Sequence, residues 1–246
     1  MKGIFFTALV ALAFLGCKEK ANKIEEKVTA PIEMEVPKNE WTVLFDGTSF
    51  DGWHEYGKEG VSDHWKLEDG AMVFYPPKER NGESYNIVSD AEYTDFVLSL
   101  EWKISEAGNS GVFWAVKELD NLGQPYETGP EIQVLDNDKH PDGKNGTSHQ
   151  AGALYDMVSP SEDVTKPVGE WNLCEITINH KTNMGIIVLN DVEVVKFPVN
   201  NPEWSEMVSK SKFAEWEHFA KYTTGKIGVQ DHGDVVSFRN IKIKEL

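Results

Sequence analysis

From Phe96 to Ile104 the chain alternates. Phe96, Leu98, Leu100, Trp102 and Ile104 are apolar, while Ser99, Glu101 and Lys103 between them are polar and Val97 is the one exception. A period of two sends successive side chains to opposite faces, which predicts a half-buried strand. Cys174, Ile176 and Ile178 alternate in the same way with Glu175, Thr177 and Asn179. Ile186 to Leu189 and Val192 to Phe197 flank Asn190-Asp191, two residue types that tolerate left-handed backbone, so a tight hairpin is expected. Further strands are expected at Val43 to Phe45, Ala71 to Tyr75, Gly111 to Val116, Glu131 to Leu135, Lys226 to Gln230 and Ser237 to Ile243. The best helical stretch is Ser205 to Phe219, with Phe213, Trp216 and Phe219 at spacing three and Met207 further back; two short turns are the alternative. Many strands with Gly- and Pro-rich connections predict an all-β fold: a two-sheet antiparallel jelly-roll sandwich with one or two short helices.

The N-terminus follows a different pattern. Met1 and Lys2 precede an apolar run from Ile4 to Leu15, too short to cross a bilayer but suited to the core of a secretory signal. Phe14-Leu15-Gly16-Cys17 reads as a lipoprotein cleavage box, so residues 1–16 are expected to be a signal peptide and Cys17 the acylated first residue. Residues 17–40 are rich in Lys, Glu and Pro and read as a flexible tether. One domain is expected from Trp41 to Leu246, exported and lipid-anchored to a bacterial membrane on the periplasmic or cell-surface side. Cys174 is the other cysteine; with Cys17 acylated no internal disulfide can form, and its apolar alternation predicts a buried, inert thiol.

The net charge of −17, with 41 acidic against 24 basic residues, argues against a nucleic-acid partner, which needs a basic stripe. Eight Trp and seven Tyr offer flat faces that suit both a β core and a sugar ring.

The candidate chemistry sits at strand ends. Glu131 and Gln133 share one face of their strand while Ile132 and Val134 face the other, so the polar pair faces either a groove or solvent. In Gly108-Asn109-Ser110-Gly111 the glycines allow close backbone approach and Asn109 offers a donor and an acceptor, although an ordinary turn would read the same way. Asp136-Asn137-Asp138-Lys139-His140-Pro141-Asp142-Gly143 is an oxygen-rich loop in which a divalent metal could sit, without the full spacing of a known calcium loop. His149, in a polar loop, and His232, in Gln230-Asp231-His232-Gly233-Asp234, are candidate acids or bases, and Gln230 could reach a groove from its strand. Arg239 is expected to pair with a carboxylate. No nucleophile elbow, Walker loop, dinucleotide fingerprint or zinc-protease motif occurs. The residues alone leave three readings open: an enzyme with a base among these groups, a two-carboxylate glycosidase using Glu131 and Asp136, and a non-catalytic sugar-binding module.

Six segments in order resemble the 3-keto-disaccharide hydrolase family: Leu44-Phe45-Asp46-Gly47 with Gly52-Trp53; Gly108-Asn109-Ser110-Gly111; Gly129-Pro130 running into Glu131 to Asp136; Gly152-Ala153-Leu154-Tyr155-Asp156; Gly169-Glu170-Trp171-Asn172; and Gly228-Val229-Gln230-Asp231-His232-Gly233 with Phe238-Arg239-Asn240-Ile241. The resemblance spans Trp41 to Leu246. It implies a concanavalin A-like jelly roll and cleavage of oligosaccharides or glycosides oxidised to a ketone at carbon 3. It further implies Glu131, His149 and His232 as catalytic candidates, with Asn109, Gln133, Asp136, Tyr155 and Gln230 as substrate contacts. Many members carry an Arg shortly after the Gly-Asn-Ser-Gly segment, where Trp114 and Ala115 stand here.

Overall fold

The computed structural model of the 246-residue chain describes residues 40–246. The expected signal peptide, Cys17 and all of the tether except Glu40 lie outside them. The strands are β1 (Thr42–Phe45), β2 (Trp53–Glu55), β3 (Trp65–Glu68), β4 (Ala71–Phe74), β5 (Ile87–Tyr93), β6 (Phe96–Ile104), β7 (Asn109–Val116), β8 (Glu131–Leu135), β9 (Asn172–Asn179), β10 (Met184–Leu189), β11 (Val192–Phe197), β12 (Gly225–Val229) and β13 (Val236–Glu245), with a single α-helix, α1 (Pro202–Ser209), among the described residues.

All the strand pairs are antiparallel, and they form two sheets. The larger runs β11-β10-β9-β6-β13-β4-β3, with β1 also on β13; the smaller runs β2-β5-β12-β7-β8. This is the jelly-roll sandwich that the alternation predicts. In β6 and β9 the apolar residues of each pair point into the sandwich, where Phe96, Leu98, Leu100, Trp102, Cys174, Ile176 and Ile178 are nearly water-free. Fully burying one such side chain contributes roughly 1.5–3 kcal/mol, which fixes register, since a slip of one residue would turn the whole row outward. Burial pushes the Cys174 thiol up to about 12, so it stays protonated and unreactive. The β10–β11 hairpin turns on Asn190 and Asp191, both with positive φ (48° and 69°), as their residue types predict. Arg239 pairs with Glu101 (Nε to Oε2 2.8 Å) and lies over the Trp171 ring at 4.1 Å.

The smaller sheet is different, because apolar residues cover both of its faces. Val112, Trp114, Ile132 and Val134 join the main core, whereas Tyr56, Val88, Phe113 and Val116 form a second, smaller cluster against which Tyr126 packs. Strand alternation puts Asn109, Gly111, Glu131 and Gln133 on the side of that second cluster, away from the sandwich core. The helical expectation for Ser205 to Phe219 holds only in part. α1 starts earlier, where the Asn201 side chain caps it by accepting from the Trp204 N–H at 3.0 Å with Pro202 in the first turn, and it ends at Ser209. Residues 211–219 continue as turns.

Candidate active site

Glu131 and Gln133 project from β8 next to β7, in a register that sets Phe113 opposite Glu131 and Gly111 opposite Gln133. The Glu131 side chain leans across Gly111, and any side chain at 111 would collide with its carboxyl group. The second glycine of the Gly-Asn-Ser-Gly segment therefore makes room for an acid. The outer edge of β8 is covered by the Gly152–Asp156 segment. Gly152 N–H donates to Gln133 O (2.9 Å), Gln133 N–H to Ala153 O (3.1 Å) and Tyr155 N–H to Glu131 O (3.0 Å). These bonds protect an otherwise open sheet edge and carry Tyr155 to the side of Glu131.

A cavity of about 240 Å³ results. Asn109, Glu131, Gln133 and Gln230 form its polar floor. Tyr126, Tyr155, Phe213 and Trp216 wall it, and Lys212 and His232 complete the lining. Its floor is unusual in what it leaves unpaired. The amide oxygens of Asn109 and Gln230 are buried without a hydrogen-bond partner, a state that costs on the order of 1–3 kcal/mol per group unless something donates to them. Glu131 is buried, and burial pushes its carboxyl up to about 8, against the pull of the Lys212 ammonium and with the help of the Asp142 charge. It is the only carboxylate among the lining residues. The Gln133 amide is tied to backbone, donating to His149 O (3.3 Å) and accepting from Val134 N–H (3.1 Å).

Behind Tyr155 the polar groups are paired. Its hydroxyl donates to Asp142 Oδ2 (2.8 Å), and His149 bridges Asp142 (Nδ1, 3.0 Å) and Asp156 (Nε2, 3.1 Å). Asp156 in turn accepts from the Lys212 N–H at 2.7 Å, and the Lys212 ammonium lies 4.0 Å from the centre of the Tyr155 ring. Burial opposes the Asp142 charge, but hydrogen bonds from Asn145, Tyr155 and His149 outweigh it and hold the carboxyl below its usual range. Burial, and then the bond to Asp142, push the Tyr155 phenol well up, so it stays protonated.

The structure thus brings Asn109, Glu131, Gln133, Tyr155, Gln230 and His232 to one cavity and leaves two expected residues outside its lining. His149 stands behind Tyr155 with both ring nitrogens facing carboxylates, so neither is free to take a proton from a ligand in the cavity. Asp136, expected as a substrate contact, opens on a different hollow and turns its carboxylate onto backbone N–H groups, those of Ala107 (2.7 Å), Asp138 (3.2 Å) and Lys139 (3.3 Å). The oxygen-rich loop after it folds into a 3₁₀ turn, Pro141–Asn145, whose one acid, Asp142, is engaged by the Asn145, His149 and Tyr155 side chains. Near the mouth, ligand atoms of His140, His232 and Asp234 lie within 4.8 Å of one another. His140 Nδ1 accepts from the Asp142 N–H (3.1 Å), however, which puts the proton of the neutral ring on Nε2 and leaves that nitrogen without a lone pair for a metal. His232 is half-exposed, its Nε2 3.3 Å from the Asn109 amide nitrogen and its Nδ1 3.8 Å from Asp234.

The sequence profile described as the 3-keto-alpha-glucoside-1,2-lyase-like domain matches residues 40–244. The chain belongs to this family. It is 34% identical over 240 residues to the 3-keto-disaccharide hydrolase of Bacteroides thetaiotaomicron, an alignment covering 87% of this chain and 81% of that one. A crystal structure from Parabacteroides distasonis, provisionally named a glycosyl hydrolase, superposes with a TM-score of 0.77 at 32% identity, covering 84% of this chain and 94% of that chain. A second from the same organism, with the same provisional name, gives 0.63 at 27% identity and covers 85% and 100%. Membership makes the chain an enzyme of the hydrolase type.

The lysine that lines the cavity is Lys212, from the segment after α1, while Trp114 is buried in the core. Lys212, Tyr126, Phe213 and Trp216 are pocket residues that strand patterning does not single out. The polar run Ser209-Lys210-Ser211-Lys212 ahead of a solvent-facing Trp216 is the one signal that breaks the helical reading.

Proposed function

We propose that the protein cleaves 3-keto glycosides by elimination, with Glu131 as the base. The carrying observation is a lone buried carboxyl among unpaired amide oxygens, with no second carboxylate in the lining. Ordinary glycoside hydrolysis uses a pair of carboxyl groups, one as acid and the other as base or nucleophile. A ketone at carbon 3 changes the requirement, because it makes the proton on carbon 2 acidic. Glu131, ionised, takes that proton; the electron pair moves onto the carbon 3 oxygen as an enolate. Collapse of the enolate forms a double bond between carbons 1 and 2 and expels the carbon 1 oxygen, which leaves with a proton as the alcohol. Addition of water to the unsaturated sugar completes a net hydrolysis.

Each neighbour has a part in this reading. A carboxylate whose pKa burial has raised to about 8 is a stronger base than an exposed one, so it is better matched to a carbon acid. The Lys212 ammonium supplies the positive charge for the enolate oxygen. The orphaned oxygens of Asn109 and Gln230 accept from sugar hydroxyls, which removes their burial cost only when substrate is present. His232, at the half-exposed mouth, is the group that exchanges a proton with the leaving oxygen. His149 and Asp142 position Tyr155.

The test is paired turnover of one aryl glucoside, untreated and pre-oxidised at carbon 3, with wild-type protein and Glu131→Gln, each with and without chelator. Release from the oxidised form alone, lost in the variant, is the expected result. Release from the untreated form would overturn it in favour of hydrolysis without the ketone. Chelator-sensitive release would transfer charge stabilisation from Lys212 to a cation near His140, His232 and Asp234.

A further inference from the structure

The catalytic cavity, at about 240 Å³, has room for one sugar ring, so the group on the leaving side must lie elsewhere. Tyr126 and Trp216 line both this cavity and a second, wider one of about 650 Å³, so they form the wall between the two. Their rings are 6.0 Å apart, and Trp216 is among the most exposed large apolar side chains described. A tryptophan held at the surface by Phe213 (5.1 Å, edge-on) rather than folded into the core is pre-positioned for a flat ligand. We propose that the second cavity is the subsite for the leaving group, and that it takes a second pyranose ring stacked on Trp216. This deepens the elimination reading and rests on it.

The chemistry of the rim favours a sugar over a plain aryl group. Glu127 spends Oε2 on the backbone N–H groups of Gly123 and Gln124 (2.8 Å each), which leaves Oε1 as an acceptor at the edge. His218 turns Nδ1 to the Tyr222 hydroxyl (3.2 Å), and its Nε2 lies 4.0 Å from Glu217 Oε2, so a polar pair also lines this cavity. Apolar face with polar rim is the pattern of a ring whose faces are C–H and whose edge is hydroxyl. Burial first, then the charges of Glu127 and Asp231 and, last, Glu131 push the Tyr126 phenol up, against the pull of Arg80.

Gly123 lies in the floor of the second cavity, where an added Cβ would meet no atom within 4 Å and the backbone is not left-handed, so a larger residue fits without strain. The experiment compares a 3-keto disaccharide with its methyl 3-keto glucoside on wild type, Gly123→Phe and Trp216→Ala. Filling the cavity with Phe is expected to raise KM for the disaccharide about tenfold more than for the methyl glycoside, the scale of one lost stacking contact. Trp216→Ala should shift the ratio in the same direction. Equal effects on both substrates, or no effect on either, would overturn the proposal. If wild type turns over neither compound, the elimination reading fails on its own. Binding of the disaccharide, followed by tryptophan fluorescence, then decides the subsite: weaker binding to Gly123→Phe supports it, and equal binding overturns it.

Discussion

Two polar regions meet at Tyr155 and are built in opposite ways. Behind the ring, Asp142, His149 and Asp156 are mutually paired and tie down the backbone of Lys212. In front of it, the Glu131 carboxyl takes no hydrogen bond from the described residues, and the Asn109 and Gln230 amide oxygens have no donor. The groups behind are partly buried and paired; those in front are buried and unpaired. Groups paired within the fold hold shape, whereas groups left waiting at a cost are available to a ligand. That contrast is what favours, in the proposed reading, Glu131 as the reacting group and His149 as a support.

The sharpest way to break the contrast is Glu131→Gln. Activity on a 3-keto glycoside should fall by about 10²- to 10⁴-fold, the range for loss of a general base, measured by initial rates. The same substitution should raise thermal stability. A carboxyl with a folded pKa of about 8, against an ordinary 4.5, holds its proton more tightly folded than unfolded, so wild-type stability declines as pH rises from 4.5 to 8. Glu131→Gln removes the decline; melting curves at pH 5 and 8.5 that shift in parallel in both proteins would contradict this. By the same shift, kcat/KM of wild type should climb with pH through a midpoint near 8 and level off above it, because the base works ionised.

A smaller effect is expected behind the ring. His149→Ala leaves two carboxylates facing each other without the imidazole, so the melting temperature should drop, by roughly 1–3 kcal/mol of stability. Activity should fall only about tenfold, through a looser Tyr155, with the pH profile keeping its wild-type midpoint. A moved midpoint would promote His149 to a proton-transfer role. The smallest effect belongs to Asp136→Asn. Its three backbone donors lie in two turns outside the cavity, so it should cost about 1 kcal/mol of stability and leave kcat/KM near wild type. A large rate loss there would restore the two-carboxylate reading.

How legible these regions were in the sequence follows from their exposure. The larger sheet has one wet face over much of its area, so β6, β9 and the β10–β11 hairpin print a period of two. The smaller sheet is covered on both sides, and its strands β2 and β5 go unread: Trp53-His54-Glu55 is too short to show a period, and after Ile87 and Val88 the run Ser89-Asp90-Ala91-Glu92 carries none. β3 escapes for a similar reason, with Leu67 exposed and only Trp65 buried. Glu131 and Gln133 were readable because alternation alone places them on one face. Asp136 was not, because it follows the last strand residue and its direction is set by the turn. Lys212 and Trp216 were hidden by a spacing of three that mimics a helix face, where the chain instead leaves α1 and spreads over the cavity.

The contact between Gly111 and Glu131 has a consequence for how this enzyme can be altered. The Glu131 carboxyl rests in the space that a side chain at 111 would fill, so the two positions are coupled. Glu131 sits on a flexible stem, and a methyl at 111 would turn its carboxyl away from this resting place rather than remove it. Gly111→Ala therefore offers a way to move the acid while keeping it.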